Sequence, residues 1–286
     1  MPIRAPERQP NGVASRSLNP IFLKDDFGFR RINDHCTERV CWWPFQKVVM
    51  RDARCETLDI KRMRFPLDVI LVCVRWYAAY PLSTRNLEEM MQERGVLVDH
   101  STVSRWAIRF LPLLERIFRK YKRPVGGSWR MDETYIKIKG AWKYLYRAVD
   151  KEGNTVDFLL TAKRDKAAAM RFFDKAMQEN GAPEKVTMDK SGANKSAIDQ
   201  IIKDQEITIV VRQVKYLNNI VEQDHRAIKR ITRPMLGFQS FVAAKSILAG
   251  VELMHMIRKN QLNIEGGDNM SFADQFYALA GQVRPA

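Results

Sequence analysis

Three acids far apart in the sequence, Asp132, Asp189 and Glu222, are the side chains best suited to chemistry, provided the fold gathers them. Asp132 lies in the stretch WRMDETYIKIKGAWKYLYR, where β-branched and aromatic residues alternate with polar ones on both sides of Lys139-Gly140-Ala141. That alternation puts Asp132 on one strand face with Thr134, Ile136 and Ile138, and turns Glu133 the other way with Met131 and Tyr135. An acid among apolar neighbours is costly unless a cation, a set of hydrogen bonds or a metal ion compensates it. Asp189 ends the short apolar run Lys185 to Met188, and Glu222 follows 33 positions later near the start of a helical pattern. Three carboxylates brought together repel one another, and hard divalent cations neutralise them well. Two Mg²⁺ ions, or Mn²⁺ in their place, about 3.5–4 Å apart would grip both the attacking and the leaving oxygen of a phosphoryl transfer. A structural role competes at each position. Glu222 could complete a cap with Asn219 or pair with Arg226, Asp189 could cap the next helix, and Asp132 could pair with a nearby Arg or Lys. Asp150 and Asp224 are rival acids.

Other chemistries have less support. His35, His100, His225 and His255 are isolated, with no HExxH spacing; His225 alone adjoins a candidate acid, and a surface role is expected for it. No GxGxxG or GxxxxGK[ST] loop is present, which argues against a nucleotide cofactor.

The elements that must position the acids follow from periodicity. Strands are expected at Trp129 to Ile138, Trp142 to Val149 and Thr155 to Ala162, then a helix at Asp165 to Gln178 ended by Gly181-Ala182-Pro183. A strand at Lys185 to Met188, a helix at Ala193 to Lys203 and a strand at Ile207 to Arg212 complete the order βββαβαβ, followed by a helix. Such an order gives an α/β fold, a mixed five-stranded sheet with helices on its faces. The helix at Ile220 to Thr232 carries Ile220, Val221, Ala227, Ile228 and Ile231 on one side and Glu222, Arg226, Lys229 and Arg233 on another. Glu222 and Lys229 are then two turns apart, about 10 Å. A last amphipathic helix spans about Phe241 to Arg258, and a weaker one lies near Phe272 to Leu279.

The chain has 286 residues and a net charge of +15, which favours a polyanionic partner, double-stranded DNA first and an anionic membrane surface second. No apolar run approaches the roughly 20 residues of a membrane span, and no signal-peptide core is seen, so a cytoplasmic protein is expected. Cys36, Cys41, Cys55 and Cys73 make no disulfide framework; His35 with Cys36, Cys41 and Cys55 could bind zinc but lacks paired CxxC spacing. Residues 1–64 show no sustained periodicity beyond an apolar cluster at Val40 to Val49 and are expected to be largely disordered, with Met63 as another possible start.

Three helices precede the strands. The first runs from Pro66 to about Tyr80; the second is capped by Ser83 or Thr84 and stops at Gly95; the third runs from Ser101 toward Tyr121. The last two look like a helix-turn-helix, which would present Ser101, Thr102, Ser104, Arg105 and Arg109 to DNA and bury Val103, Trp106, Ala107, Phe110 and Leu114. The following basic stretch, including Arg116, Arg119, Lys120, Lys122, Arg123 and Arg130, is opposed locally only by Glu115 and is expected to steepen the salt dependence of DNA binding. Pro124 to Gly127 reads as a boundary, dividing the chain into an extension (1–64), a helix-turn-helix domain (65–123), a core (124–260) and a tail (261–286).

The blocks VDHSTVSRW, WRMDETYIKIKGAWKYLYRAVDKEGNTVDFLLTAKRDKAAA, VTMDKSGAN and VRQVKYLNNIVEQDHRAIKRITRPMLGF strongly resemble the DDE transposases of the bacterial insertion-sequence-six family, over about Phe65 to Leu279. The resemblance implies a ribonuclease-H-like, retroviral-integrase-type core with Asp132, Asp189 and Glu222 as metal ligands and catalytic residues, and Lys229 positioning terminal-repeat DNA. It further implies that the helix-turn-helix recognises terminal inverted repeats, and that the protein nicks 3′ ends, transfers strands into target DNA and forms cointegrates by replicative transposition as a homo-oligomer. Members of that family commonly begin near the position of Phe65, so the first 64 residues have no clear counterpart. A non-catalytic, sequence-specific DNA-binding regulator and a structure-specific nuclease are the alternative functions.

Overall fold

The computed structural model describes residues 64–214 and 219–282. His35, Cys36, Cys41 and Cys55, and with them the zinc expectation and the extension, lie outside the described residues. Three helices lead: α1 (Leu67–Ala79), α2 (Thr84–Gln92) and α3 (His100–Lys120). Ser83 caps α2 through a reciprocal box with Asn86, each side chain bonding the other residue's backbone N–H. Asp99 caps α3 by accepting from the Ser101 amide at 2.8 Å, so this helix starts one residue earlier than its sequence pattern suggests. Gly95, after α2, adopts a φ of 73°, the left-handed conformation expected there.

The sheet contains β1 (Ser128–Ile138), β2 (Ala141–Val149), β3 (Thr155–Thr161), β4 (Lys185–Met188) and β5 (Val210–Gln213), in spatial order β3-β2-β1-β4-β5. The first three strands form an antiparallel meander, and β4 and β5 add parallel to β1 through crossovers that carry α4 (Lys166–Asn180) and α5 (Gly192–Gln205). Lys139 and Gly140 both take positive φ, 48° and 78°, in the two-residue turn that joins β1 to β2. This is the mixed, five-stranded sheet implied by the element order, in the order β3-β2-β1-β4-β5. The chain continues with α6 (Asn219–Thr232), a short 3₁₀ turn, α7 (Phe241–Arg258) and α8 (Phe272–Gly281).

Each sheet face has its own apolar core. On one face Trp129, Met131, Tyr146, Ala148 and Val156 meet α4 and α5 through Phe172, Phe173, Ile198 and Ile201. On the other, Ile136, Ile138, Leu145 and Phe158 meet α6 and α7, and the same cluster takes in α1, α2, α3 and α8. α7 is the hub of that second layer, and it approaches α3 so closely at Gly250 that a Cβ there would overlap the Leu111 side chain. Among the described residues no helix is long and apolar enough to cross a membrane.

The basic stretch after α3 is used differently from its sequence expectation. Arg119 bonds Glu115 at 2.5 Å and Asp157 at 3.0 Å, Lys122 donates to the Val156 carbonyl at 2.5 Å and Asn180 at 2.9 Å, and Arg123 pairs with Asp268. These partners come from far along the chain, so local sequence could not show them. Burial lowers the Lys122 ammonium to about 8, against the pull of Asp157. Arg119 and Lys122 therefore tie α3 to β3 and α4 and do not form an open cationic surface.

Asp157 is the acid on which this tie rests. Its side chain is wholly buried and accepts from Arg119 and from Lys175 at 2.8 Å. Burial alone would raise its carboxyl, but Lys175 and Arg119 outweigh burial and hold it below its ordinary value. A depressed folded value means a contribution fully present above the unfolded carboxyl range and lost as pH falls through the folded value. Asp157→Asn should lower unfolding stability by about 3–5 kcal/mol at neutral pH, as measured by urea denaturation. The gap from wild type should stay constant down to about pH 4 and narrow below it; a gap that widens on acidification would refute the assignment.

Candidate active site

Two of the three acids, Asp132 and Asp189, meet where the sheet runs out. β1 and β4 pair in parallel with register Ser128↔Lys185, Trp129↔Val186 and Arg130↔Thr187. Carried two residues further, the same register sets Asp189 beside Asp132, just past the end of β4 at Met188. Carboxylate oxygens of Asp132, Glu133 and Asp189 all lie within 4.8 Å of one another. Strand alternation does send Glu133 to the opposite face from Asp132, as its sequence suggests. With no neighbouring strand left on that edge, both side chains reach the space beyond β4. Glu133 is thus a member of the cluster that the alternation pattern by itself hides.

Counter-charge arrives from a loop. Arg164, in the segment between β3 and α4, donates to Glu133 at 3.3 and 3.2 Å and to Asp189 at 3.1 Å. Asn194, fully buried on α5, donates to Glu133 at 2.8 Å. Burial raises the Glu133 carboxyl, and Asp189 and Asp132 add to the rise, against the hydrogen bond from Asn194 and the charge of Arg164. Asp189 also accepts from the Ser191 amide at 3.1 Å, a turn that leads into α5; Ser191, not Asp189, is the residue at the cap. Nothing in the local sequence singles out Arg164, because its partners are one acid within β1 and one just past β4.

On the other face, α6 packs over β1. His225 is buried, and its Nε2 lies 3.4 Å from Oδ2 of Asp132, while both ring nitrogens lack a hydrogen-bond partner among the described residues. The expected surface role for His225 is therefore overturned: Asp132 draws it inward. Glu222 stands one turn earlier, about 4.5 Å along the axis, on the exposed side of the first turn. It falls outside the 4.8 Å carboxylate group, and among the described residues it bonds neither Asn219 nor Arg226. Arg226, Lys229 and Arg233 continue its exposed stripe, opposite the buried Val221, Ile228 and Ile231.

Both rival acids are structural. Asp150 accepts from the Gly126 amide at 3.0 Å and from Asn154 at 2.7 and 3.0 Å, closing the β2–β3 turn. Asp224 sits in a buried network centred on Arg147, the residue directly across from Asp132 in the β1–β2 register. Arg147 is fully buried and donates to Glu252 at 2.6 and 3.0 Å and to Asp224 at 2.5 Å. Asp224 is also held by His255 at 2.7 Å and Lys259 at 2.6 Å. Burial would raise Asp224, but the His255 hydrogen bond and the charges of Arg147, His255 and Lys259 keep it far below the usual carboxylate range. The network bolts α6 to β2 and α7, and so fixes the helix that carries Glu222.

The expected DNA-reading residues gather at the start of α3. Arg105 and Arg109 are exposed one turn apart, and the Thr102 hydroxyl accepts from Arg105 at 2.8 Å. Ser101 is exposed but bonds the capping Asp99, and Ser104 is half-buried. His100 bonds Glu88 at 2.9 Å, joining α3 to α2.

The chain is also similar to known proteins. A family model described as a DDE domain matches residues 126–261, from the glycine pair before β1 to just beyond α7. The transposase for insertion sequence-like element IS431mec of Staphylococcus aureus is 42% identical over 205 residues, which is 71% of this chain and 90% of that protein. The transposase for insertion sequence element IS257 in transposon Tn4003, also from Staphylococcus aureus, matches with the same identity and coverage. Among solved structures, the HTLV-2 integrase catalytic core domain in complex with magnesium is 17% identical, with 46% of this chain and 88% of that chain covered and a TM-score of 0.36.

Removing Arg147 should strand two buried carboxylates. Arg147→Met is expected to cost about 3–5 kcal/mol in urea or thermal unfolding. The double variant Arg147→Met, Glu252→Leu should recover part of that loss, because it replaces charge with apolar volume.

Proposed function

This chain belongs to the DDE transposases of the insertion-sequence-six family, polynucleotidyl transferases of insertion sequences, and from that premise we propose that it cleaves the 3′ ends of its element and joins them to target DNA. Transfer without release of the old strand leads to replicative transposition and cointegrate formation. The observation that carries the reading is the parallel register that sets Asp189 beside Asp132 under a helix bearing Glu222.

The gathered acids suit Mg²⁺: Asp132, Glu133 and Asp189 offer carboxylate oxygens only, mutually repelling and balanced in part by the Arg164 guanidinium, a charge that a hard divalent cation can take over, and Glu222 on α6 lies outside that group. Asp132, Asp189 and Glu222 would hold two such ions, with Mn²⁺ able to substitute. When bound, these ions activate the attacking hydroxyl or water and stabilise the departing oxygen of an in-line phosphoryl transfer. The protein's own groups do the positioning. His225 packs against Asp132 and fixes the approach of α6 to β1. Lys229, about 10 Å beyond Glu222 on the same exposed stripe, contacts a phosphate of the terminal repeat and orients the strand end toward the acids. Arg226 and Arg233 extend that positive stripe.

Recognition of the terminal inverted repeats is assigned to α2 and α3, with Arg105 and Arg109 at phosphates or guanine edges and Ser101, Thr102 and Ser104 beside them. Two element ends and a target must be held together, so a homo-oligomer is the expected working form.

Purified protein mixed with DNA carrying its own terminal repeats should nick the 3′ ends only when Mg²⁺ or Mn²⁺ is supplied. Asp132→Asn, Asp189→Asn and Glu222→Gln should each lower nicking and joining by at least about a hundredfold while leaving DNA binding intact. Full activity in any one of them removes that residue from the chemistry, and binding with no metal-dependent nicking in wild type would make the protein a regulator. Arg105→Ala should weaken binding about 5- to 150-fold if it reads a base, with loss of preference for the repeat over unrelated DNA. A uniform weakening with a shallower salt slope would reassign it to a phosphate contact.

A further inference from the structure

The β1–β2 hairpin projects beyond the acid cluster and carries an aromatic ladder that the reaction just described does not use. Tyr135 and Tyr144 are direct cross-strand partners, with ring centroids 5.5 Å apart, and Trp142 meets Tyr135 edge-on at 6.5 Å. All three share the sheet face of Glu133, since Glu133 pairs with Tyr146 and Tyr135 with Tyr144 in one register. Tyr146 is buried beneath α4, but toward the tip the cover ends: Tyr135 is 50% exposed and Trp142 61%. Two large rings held open on a strand pair joined by a tight two-residue turn cost free energy unless a ligand covers them.

The surroundings name the ligand. From Thr134 to Leu145 the hairpin has no acid and three lysines, Lys137, Lys139 and Lys143. Exposed Lys163 and Arg164 follow the end of β3, whose Thr161 pairs with Tyr144. The Arg164 guanidinium, which binds Glu133 and Asp189, also feels the Tyr135 phenol, so ladder and acid cluster are continuous. Tyr135 is two strand residues past Glu133, about 7 Å. A second copy of this chain would set lysine against lysine here, whereas a nucleic acid strand brings phosphate to the lysines and a flat ring to the aromatics. In an intact duplex the base faces are covered by their neighbours, so only an unpaired base can use the ladder.

We propose that Tyr135, Trp142 and Tyr144 form a stacking platform for an unpaired base next to the scissile phosphate, with Lys137 and Lys163 holding the strand's phosphates. This assignment rests on the reading of the protein as an enzyme of DNA ends. It gives the site a specificity for DNA that is frayed, flipped or already cut at the element boundary, and a means of keeping the separated strand from re-pairing.

The test compares full-length protein binding to a duplex with a short unpaired 3′ tail carrying 2-aminopurine and to the blunt duplex of the same paired sequence, without divalent metal. Wild type should bind the tailed duplex about 5- to 100-fold more tightly and quench the 2-aminopurine emission by stacking. Trp142→Ala and Tyr135→Ala should lose the preference and the quenching, with unchanged blunt-duplex affinity and an unchanged melting temperature; Trp142→Phe should keep most of both. Equal affinity of wild type for the two duplexes, or an equal loss on both in Trp142→Ala, overturns the platform and leaves the transposase reading standing. A change of sedimentation in Trp142→Ala without DNA, with the tail preference intact, would make the patch a self-association surface and also overturn it. Failure of wild type to bind either duplex removes the platform together with the DNA-end reading.

Discussion

The parallel pairing of β1 with β4 is the constraint on which the rest of this structure depends. It lasts only as long as β4 does, and its register then delivers Asp189 to the flank of Asp132 with no further pairing between the two strands. Past the end of the ladder the strand edge is open, which is where a ligand can reach the side chains of an α/β sheet. Three carboxylates within 4.8 Å would push the edge apart if left alone. Arg164 from one loop, Asn194 from α5 and His225 from α6 surround them, so each layer of the fold contributes one group to holding the acids in place.

The opposite side of β1 shows how such a strained edge is kept rigid. Asp132 stands across from Arg147, and Arg147 is spent on Glu252 and Asp224, not on Asp132. Buried ion pairs of this kind add little net stability over apolar packing, but an arginine fork satisfied by two carboxylates permits few alternative helix positions. α6 is held with Val221, His225, Ile228 and Ile231 inward, and its outward stripe of Glu222, Arg226, Lys229 and Arg233 stays free to meet a polyanion. The same division of labour governs the cations near α3: Arg119 and Lys122 serve the interior, while Arg105 and Arg109 remain at the surface. Net charge alone is thus a poor map of a DNA-binding surface, since part of it is neutralised inside.

The helical layer and the catalytic sheet are not independent in packing. α7 lies between them, touching α3 at Gly250 and the sheet through β3, and α8 closes the same cluster. α7 also carries Glu252 and His255 of the Arg147 network, so the packing of α3 and the placement of α6 share one helix. The leading helices and the acid cluster are thus joined through one apolar core.

The sequence by itself determined the element order, the hairpin turn, the caps of α2 and the faces of α6, because these depend on residues within a few positions of one another. Periodicity separated Asp132 from Glu133, and spacing singled out Asp132, Asp189 and Glu222, with family resemblance deciding among several acids. Only the tertiary structure decided that Asp150 and Asp224 serve the scaffold, that His225 turns inward to Asp132, and that Glu133 and Arg164 belong to the acid cluster. It also took two cations, Arg119 and Lys122, out of the expected DNA surface by supplying Asp157 and Asn180 as their partners. Those outcomes turn on where a strand stops and which distant chain segment lies beside it, and Coulomb and hydrogen-bond energies depend on that distance in space, which sequence separation does not encode.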